Sequence, residues 1–589
     1  MTDRLCLNVR SSIRQRKWTF RYDPEALESY ASDTGLPLLQ AALLLGRGVT
    51  ADETEVFLSP TLRNSLPNPS SLKDVDKAAA LILDHIADNK TVTLFSDYDV
   101  DGGTSAAQLI RWGRGLGYSF GLYVPDRVKE GYGPSIAAFD QLKAEQTDLV
   151  ITLDCGAAAQ AALEHADQIA LPVIVVDHHL MGDTPPPALA LVNPNRQDDG
   201  SCQGHLAAAG VTFMLLVALQ REARARGLEN SVDLKSLLGL TALGTICDVV
   251  PLRGLNRAIV RQGLKVLSSN KNIGVQALAD VASAEPPFTT YHAGFVLGPR
   301  INAGGRIGRA DMGARLLSTE DSQEAYAHAA ELDRVNAQRR KMQDHILNEA
   351  LDAAQTQKDE AVIIVAMEDW HPGIIGIVAG RLKDRFRKPS IVIGIDNDAN
   401  PPVAKGSGRS INGVDLGSAI SAAAEAGLLI SGGGHAMAGG LSMDPAQIDN
   451  LRAFMAGELG EDVMEALSKD SSRVDYVLGL SAVSEGLMDL VERVGPYGAG
   501  NPQPVFAFSD VRVTFAKRTK GDHVRFSLTD SGGATISGIC FRAGESRLDE
   551  VLLTAGNTRF HALGLLKPNV WQGRTRIDFH LSDLAAVED

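Results

Sequence analysis

The sequence predicts an α/β protein: a parallel-sheet domain, a long helical connector, a second α/β domain and a small C-terminal β-barrel. Three observations predict it. Between residues 75 and 180 short apolar runs alternate with helical periodicity. Residues 318–357 are rich in Ala, Glu, Gln and Arg and contain neither Gly nor Pro. Beyond about residue 503, alternating segments are bounded by Gly, Asp and Ser.

In the first region, Thr91 to Phe95, Leu122 to Val124, Leu149 to Leu153 and Val173 to Val176 read as buried strands. Their alternation with helices implies a parallel sheet. Residues 206–247 read as helices closing this domain, and the apolar stretch Leu206 to Leu219 is too short to span a bilayer, which takes roughly 18–20 residues. The connector follows, and a second α/β region begins at Ala361 to Ala366 and ends in the glycine-rich Gly432 to Gly440. Val511 to Phe515, Val524 to Leu528 and Thr535 to Cys540 are the strands of an OB-like barrel. The expected boundaries are 1–40 for an N-terminal segment, 41–317, 318–357, 358–470 and 471–589.

A chain of 589 residues exceeds what one core can organise. Its net charge of −15 would repel nucleic acid at long range, so any such binding must use a local basic channel. The five cysteines form no CxxC pair, which argues against a disulfide framework and a zinc ribbon. Arg4, Arg10, Arg14, Arg16 and Lys17 precede no apolar h-region, so no signal peptide is expected and a cytoplasmic location is. This basic segment reads as a nucleic-acid-contacting arm or a solvated tail. Glycine clusters around Gly102, Gly304, Gly433 and Gly439 suggest tight loops where backbone approaches a ligand.

Three predicted strands end in acids: Phe95 leads to Asp97-Tyr98-Asp99-Val100-Asp101-Gly102, Leu153 to Asp154, and Val176 to Asp177-His178-His179. In a parallel sheet these loops emerge at one carboxyl edge, where ligands bind. Carboxylates and imidazoles crowded there would repel one another unless cations neutralise them, and oxygen and nitrogen donors suit Mn²⁺ or Mg²⁺. Asp248, at a helix end in apolar surroundings, would be costly to bury unpaired. Taken singly, each acid reads more simply as a helix cap or turn residue; the combination favours a metal site.

The ordered motifs resemble the DHH phosphoesterase superfamily, and within it the RecJ family. The resemblance runs from about residue 40 to the C-terminus. It continues through Pro125-Asp126-Arg127, Gly131-Tyr132-Gly133, Gly298 to Arg306, Trp370 to Gly373, Lys405 to Ser410, Gly433 to Ala436 and Tyr497 to Pro502. Ser96 and Cys155 stand where Gly and Asn are usual, and Gly305 and Gly432 also depart from the pattern. Cys155 beside an acid reads as a small buried thiol or as an oxidation-sensitive one.

The resemblance implies a two-metal exonuclease that degrades single-stranded DNA from its 5′ end, in recombination and repair, with cations roughly 3.5–4 Å apart. It implies Asp99, Asp101, Asp154, His178 and Asp248 as metal ligands. Asp97 and Asp177 serve as ligands or as the groups that support them, and His179 as hydrogen-bond donor or general acid. Ser407 and Arg409 would bind a terminal 5′ phosphate, with Arg127, Arg300, Arg306 and His435 as further contacts. Arg512, Lys517, Arg518, Lys520 and Arg525 would draw the strand to the barrel. Phe515 and Phe526 read as barrel core, while Trp571, in the stretch Pro568 to Gly573, reads as an exposed stacking residue. A monomer is expected, working with a helicase and a single-strand-binding protein. The competing classes are a DHH enzyme acting on short oligonucleotides or cyclic dinucleotides, and a non-catalytic DNA-binding scaffold. Length and barrel argue against the first, the intact acids and histidines against the second.

Overall fold

The computed structural model describes residues 4–127, 130–269, 271–571 and 574–587, the side chains of 545, 570, 571 and 574 excepted. Two compact units emerge. One is Thr61–Met464; the other joins residues before Thr61 to those after Met464. Among the described residues no helix is long and apolar enough to cross a membrane.

In the larger unit five parallel strands lie in the order Gly121–Tyr123, Val92–Ser96, Leu149–Leu153, Val173–Val176, Ala190–Val192. The period of two decides which residues face which layer. Leu94, Ile151 and Ile174 pack with Ile82, Trp112, Leu215 and Leu219 on one face. Their neighbours Phe95, Val150, Val173 and Val175 pack with Phe139, Leu142 and Leu163 on the other. With both faces covered, the strands need no polar alternation, which is why they read as continuous apolar runs. The strand order reverses between Val92–Ser96 and Leu149–Leu153, which opens a crevice beyond their carboxyl ends.

The connector is one helix, Ser322–Gln355, begun by the Asp321 side chain, which accepts the Glu324 amide at 2.9 Å. Its first half buries Ala325, Ala329, Leu332 and Val335 against helices of the first sheet region. Its second half buries Ile346, Ala350 and Ala354 against Ile363, Val365 and Trp370 of the second sheet. That sheet is mixed: Ile363–Glu368 and Ser390–Asp396 are parallel, and Val403–Arg409, Ala438–Met443 and Ser431–His435 continue it antiparallel.

The glycine clusters depart from the loop expectation. Gly304 lies inside the helix Gly298–Ile307, and Gly433 and Gly439 lie in paired strands. Close packing explains them: a Cβ on Gly439 would stand 2.5 Å from the Ile420 side chain, and one on Gly304 2.9 Å from the Arg309 carbonyl.

In the smaller unit, Phe506–Thr519, His523–Thr529, Thr535–Cys540, Arg574–Ala586 and Arg559–Trp571 form a five-stranded barrel closed by pairing of the first with the last. Phe508, Phe526 and Phe579 fill it. Phe515 was expected in this core but is 52% exposed, because a register shift between Val513 and Phe515 breaks the alternation. Trp571 ends a strand, not a loop; its side chain, like residues 572 and 573, lies outside the described residues.

The basic N-terminal segment is not a solvated tail. Lys17–Phe20 pairs in parallel with Ser471–Val474, and Trp18 is fully buried with its Nε1 donating to Asp583 at 3.2 Å. Asp475, also buried, accepts from Arg47 at 2.9 Å, Arg21 at 3.1 Å and the Val505 amide at 2.9 Å. Three donors are what a buried carboxylate requires; losing one partner of such a pair typically costs roughly 3–5 kcal/mol.

Candidate metal centre

Four chain segments bring acids to the crevice of the parallel sheet. After Val92–Ser96, Asp97 continues the strand by donating its amide to Leu153 O at 3.1 Å. Asp99 then caps the helix Val100–Arg114, its Oδ1 accepting the Asp101 and Gly102 amides at 2.8 and 3.2 Å. Glycine is required at 102, since a Cβ there would meet the Asp97 carbonyl oxygen at 2.5 Å. Asp154 follows Leu149–Leu153 in a left-handed conformation, φ 62°, which Asp and Asn tolerate better than most residues. Asp177, His178 and His179 follow Val173–Val176, and Asp248 caps the C-terminus of Leu238–Cys247. A helix C-terminus disfavours a carboxylate, so Asp248 is placed against its local electrostatics unless a cation faces it.

These groups meet. His178 Nε2 lies 3.3 Å from Asp154 Oδ1, 3.5 Å from Asp248 Oδ2 and 3.9 Å from Asp101 Oδ2. Three sets have donor atoms all within 4.8 Å of one another: Asp97, Asp99 and Asp154; Asp101, His178 and Asp248; Asp154, His178 and His179. Asp97 Oδ1, Asp154 Oδ1, His178 Nε2 and Asp248 Oδ2 are buried without a hydrogen-bond partner. Buried polar atoms are nearly always satisfied, and four such donor atoms converging from separate segments fit the coordination of divalent cations. The donor set fits Mn²⁺ or Mg²⁺.

Electrostatics agree. Burial, reinforced by neighbouring carboxylates, pushes Asp248 to about 9 and Asp101 to about 7, and holds Asp97 and Asp154 well above the carboxylate range. Burial and the charge of His179 lower His178 to about 4, which leaves its imidazole neutral and able to ligate. Burial alone would depress His179. The hydrogen bond to Asp177 and the charges of Asp177, Asp101 and Asp99 outweigh it and raise it above the usual imidazole value.

Not every acid is equally free. Asp101 accepts the Ala208 and Ala209 amides at 2.6 and 2.8 Å, supplying the cap that the helix Ala208–Ala225 lacks locally. Asp177 accepts from the amides of Ala157, His178 and His179 and from His179 Nδ1 at 2.7 Å. With its oxygens committed, Asp177 orients the histidine pair. Asp177→Asn is therefore expected to weaken Mn²⁺ binding roughly 10- to 100-fold, measured by calorimetric titration. An unchanged isotherm would remove this role. Cys155 is fully buried, and burial next to Asp97 and Asp177 raises its thiol, which favours the reading as a small buried thiol.

Further groups support the centre, Tyr132 and Asn302 from within the sequence motifs and Asn193 and Asn195 from outside them. Tyr132 donates to Asp154 O at 2.9 Å and stands 3.3 Å from the His179 ring nitrogens. Asn193 and Asn195 hold the His179 and His178 carbonyls, and Asn302 accepts the Val100 amide at 3.1 Å.

Basic groups gather beside the centre. Arg127 lies over the Tyr98 ring, 5.1 Å from its centroid, and lines a cleft of about 180 Å³ with Arg306 and His371. Arg306 donates to Gly373 O at 3.1 Å; burial, with Arg127 and Arg339 nearby, lowers it to about 10. Arg409 donates to Ser407 Oγ at 3.2 Å and is lowered by burial and by Arg127. Guanidiniums crowded against one another imply an anion between them. His435 sits at the end of the hairpin strand Ser431–His435, its Nδ1 accepting the Met437 amide at 3.3 Å. Arg300 is instead committed to Asp333 at 2.8 Å and the Val296 carbonyl at 2.7 Å. On the barrel, Lys517 stands opposite Arg525, like charges that destabilise a strand pair unless an anion bridges them.

Comparison with known proteins places these features. Family models match residues 91–245 as the N-terminal domain of the DHH family, 359–461 as a DHHA1 domain and 474–583 as a RecJ OB domain. The chain is 33% identical to the single-stranded-DNA-specific exonuclease RecJ of Bacillus subtilis, over 96% of this chain and 70% of that protein. It is 34% identical to the Escherichia coli protein of the same name, over 86% and 89%. The crystal structure of Thermus thermophilus RecJ in complex with Mn²⁺ superposes with a TM-score of 0.78 at 28% identity, over 97% of this chain and 80% of that one. Its Mg²⁺ complex gives 0.71 at 27% identity, over 97% and 79%.

Proposed function

The chain belongs to the RecJ family of single-stranded-DNA-specific exonucleases, and from that premise we propose a metal-dependent enzyme that removes 5′-mononucleotides from single-stranded DNA in recombination and repair. The observation that carries the chemistry is the set of four partnerless buried donor atoms on Asp97, Asp154, His178 and Asp248. Two divalent cations, Mn²⁺ or Mg²⁺, held by Asp97, Asp99, Asp101, Asp154, His178 and Asp248, supply Lewis acidity to the scissile phosphate and the attacking water.

The remaining work falls to the protein's own groups. Asp177 fixes the His179 ring through its Nδ1, which leaves Nε2 to donate a hydrogen bond or proton to the phosphate or the leaving 3′ oxygen. The raised His179 favours its protonated form, as a donor requires. Ser407 and Arg409 take the terminal 5′ phosphate, with Arg127, Arg306 and His435 beside them. Arg300, engaged with Asp333, contributes only by exchanging that partner for phosphate. The barrel holds the strand through Arg512, Lys517 and Arg525, with Phe515 exposed for stacking. A duplex must be opened before such an enzyme can act, so a helicase and a single-strand-binding protein in the cytoplasm are the partners that chemistry calls for.

Polarity is the test. A strand labelled at its 5′ end should release label first as mononucleotide, whereas a 3′ label stays in a shrinking strand; the reverse order would refute the proposal. Arg409→Ala should lower kcat/KM on a 5′-phosphorylated strand about 10- to 100-fold, as expected for a lost charge-assisted contact of about 1.5–3 kcal/mol. A 5′-hydroxyl strand should be little affected, and equal losses on both would detach Arg409 from the terminal phosphate.

A further inference from the structure

Tyr291 and Phe295 are 61% and 68% exposed, yet their rings stack with centroids 5.5 Å apart and planes 21° apart. They belong to the turn around His292–Leu297, which is wound as a π-helix, a geometry rare enough to mark functional positions. The same turn buries Ala293 and Leu297 completely, so it is firmly seated while presenting its aromatic face to water. Leaving two such rings in water forgoes the hydrophobic gain of burying them.

What lies beneath the turn gives it meaning. Cys247 donates to Ala293 O at 3.5 Å, and a Cβ on Gly298 would stand 2.5 Å from the Cys247 sulfur. Cys247 directly precedes Asp248 of the metal centre, and Val249, which follows it, is 68% exposed in a left-handed conformation, φ 62°. Such a conformation is a genuine strain for a β-branched residue. The turn also runs straight into the helix Gly298–Ile307, whose Asn302 holds the Val100 amide beside Asp99. A flat aromatic pair therefore stands on the segment that carries one metal ligand and leads into the helix that steadies others.

We propose that Tyr291 and Phe295 are a stacking platform for unpaired bases next to the scissile phosphate, and that this platform contributes to the preference for single strands. The inference rests on the exonuclease reading and deepens it. Near a cluster of carboxylates, an uncharged ring face holds a nucleotide without adding to the charge balance that the cations must satisfy. Every unpaired base has a free π-face, so the contact is tolerant of sequence. In a duplex those faces are already covered by neighbouring pairs.

The test uses the full chain in a His179→Ala background with Mn²⁺, so that strands bind without being consumed, and reads affinity by fluorescence anisotropy. Two 5′-phosphorylated probes are compared: an oligothymidylate and an all-abasic strand of equal length. Adding Phe295→Ala should weaken the oligothymidylate roughly 5- to 100-fold, the range for loss of a base–aromatic stack, and leave the abasic strand unchanged. Phe295→Trp should restore binding. Equal weakening of both probes, or none, would overturn the proposal. So would unaltered binding with a wild type that dimerises and a Phe295→Ala variant that does not, which would make the face a subunit interface. Hydrolysis of the oligothymidylate by the wild type is scored separately, so a failure of the exonuclease reading is distinguishable from a failure of the platform.

Discussion

Asp154→Asn is expected to abolish hydrolysis, by about 10³-fold or more. Asp154 belongs to two of the three donor sets, lying within reach of Asp97 and Asp99 on one side and of His178 on the other, so its loss disturbs the ligands around both cation positions. A catalytic cation supplies several kcal/mol of transition-state stabilisation, and each 1.36 kcal/mol is about a factor of ten in rate. Asparagine is the informative replacement because it tolerates the left-handed backbone at 154, where alanine would add strain. The sign of the stability change separates this account from simple misfolding. Without metal, Asp154 is held well above the carboxylate range by burial and by Asp101, Asp99, Asp97 and Asp248. Replacing it with a neutral isostere relieves repulsion, so the metal-free variant should melt no lower than the wild type. Saturating Mn²⁺ should raise the wild-type Tm by mass action and leave the variant's almost unmoved, since a ligand at 100 times its Kd contributes about 2.7 kcal/mol. Calorimetric melts with and without Mn²⁺ check both halves.

The second large effect is expected at His179. His179→Ala should lower kcat by roughly 10²- to 10⁴-fold, the usual worth of a positioned proton donor, while calorimetric Mn²⁺ titration stays close to wild type. The reason is local. His179 Nδ1 is held 2.7 Å from Asp177 and stands 3.9 Å from Asp154, whereas His178 approaches Asp154 and Asp248 more closely and its Nε2 makes no hydrogen bond. The two histidines are adjacent in sequence, but only one has its ring nitrogen committed to a carboxylate. Asp177 retains three amide donors when the imidazole is removed, so the loop should keep its shape. Loss of Mn²⁺ binding in step with activity would move His179 from proton donor to ligand.

How much of this could be read beforehand differs by the kind of interaction. The strands Leu149–Leu153 and Val173–Val176 were legible residue for residue, because both faces of the sheet are covered and the apolar run is uninterrupted. Acids at strand ends were legible for the same reason: a parallel sheet sends all its carboxyl ends to one edge. Ala190–Val192 was missed, being three residues long and followed by Asn193 and Pro194. The supports Tyr132, Asn193, Asn195 and Asn302 carry no periodicity, since each acts through hydrogen bonds to backbone groups outside its own segment. The glycine clusters were misread because a glycine that permits close packing and one that permits a turn look alike in a sequence. Phe515 was misread because a shift in register reverses which side of a strand faces the core, and nothing local announces it. The N-terminal strand could not be paired in advance, its partner Ser471–Val474 lying about 450 residues away. The π-wound turn under Tyr291 and Phe295 is likewise set by packing against Cys247, not by residue pattern.

The most direct measurement follows product length against time for end-labelled single-stranded and blunt duplex DNA, with Mn²⁺, Mg²⁺ or EDTA, for the wild type and Asp154→Asn. The account predicts stepwise shortening of the single strand alone, from its 5′ end, in either metal, with none in EDTA and none by the variant. Intact long strands alongside hydrolysis of dinucleotides or short oligonucleotides would contradict it and place the centre among enzymes of small substrates; shortening that persists in EDTA would remove the metal from the mechanism altogether.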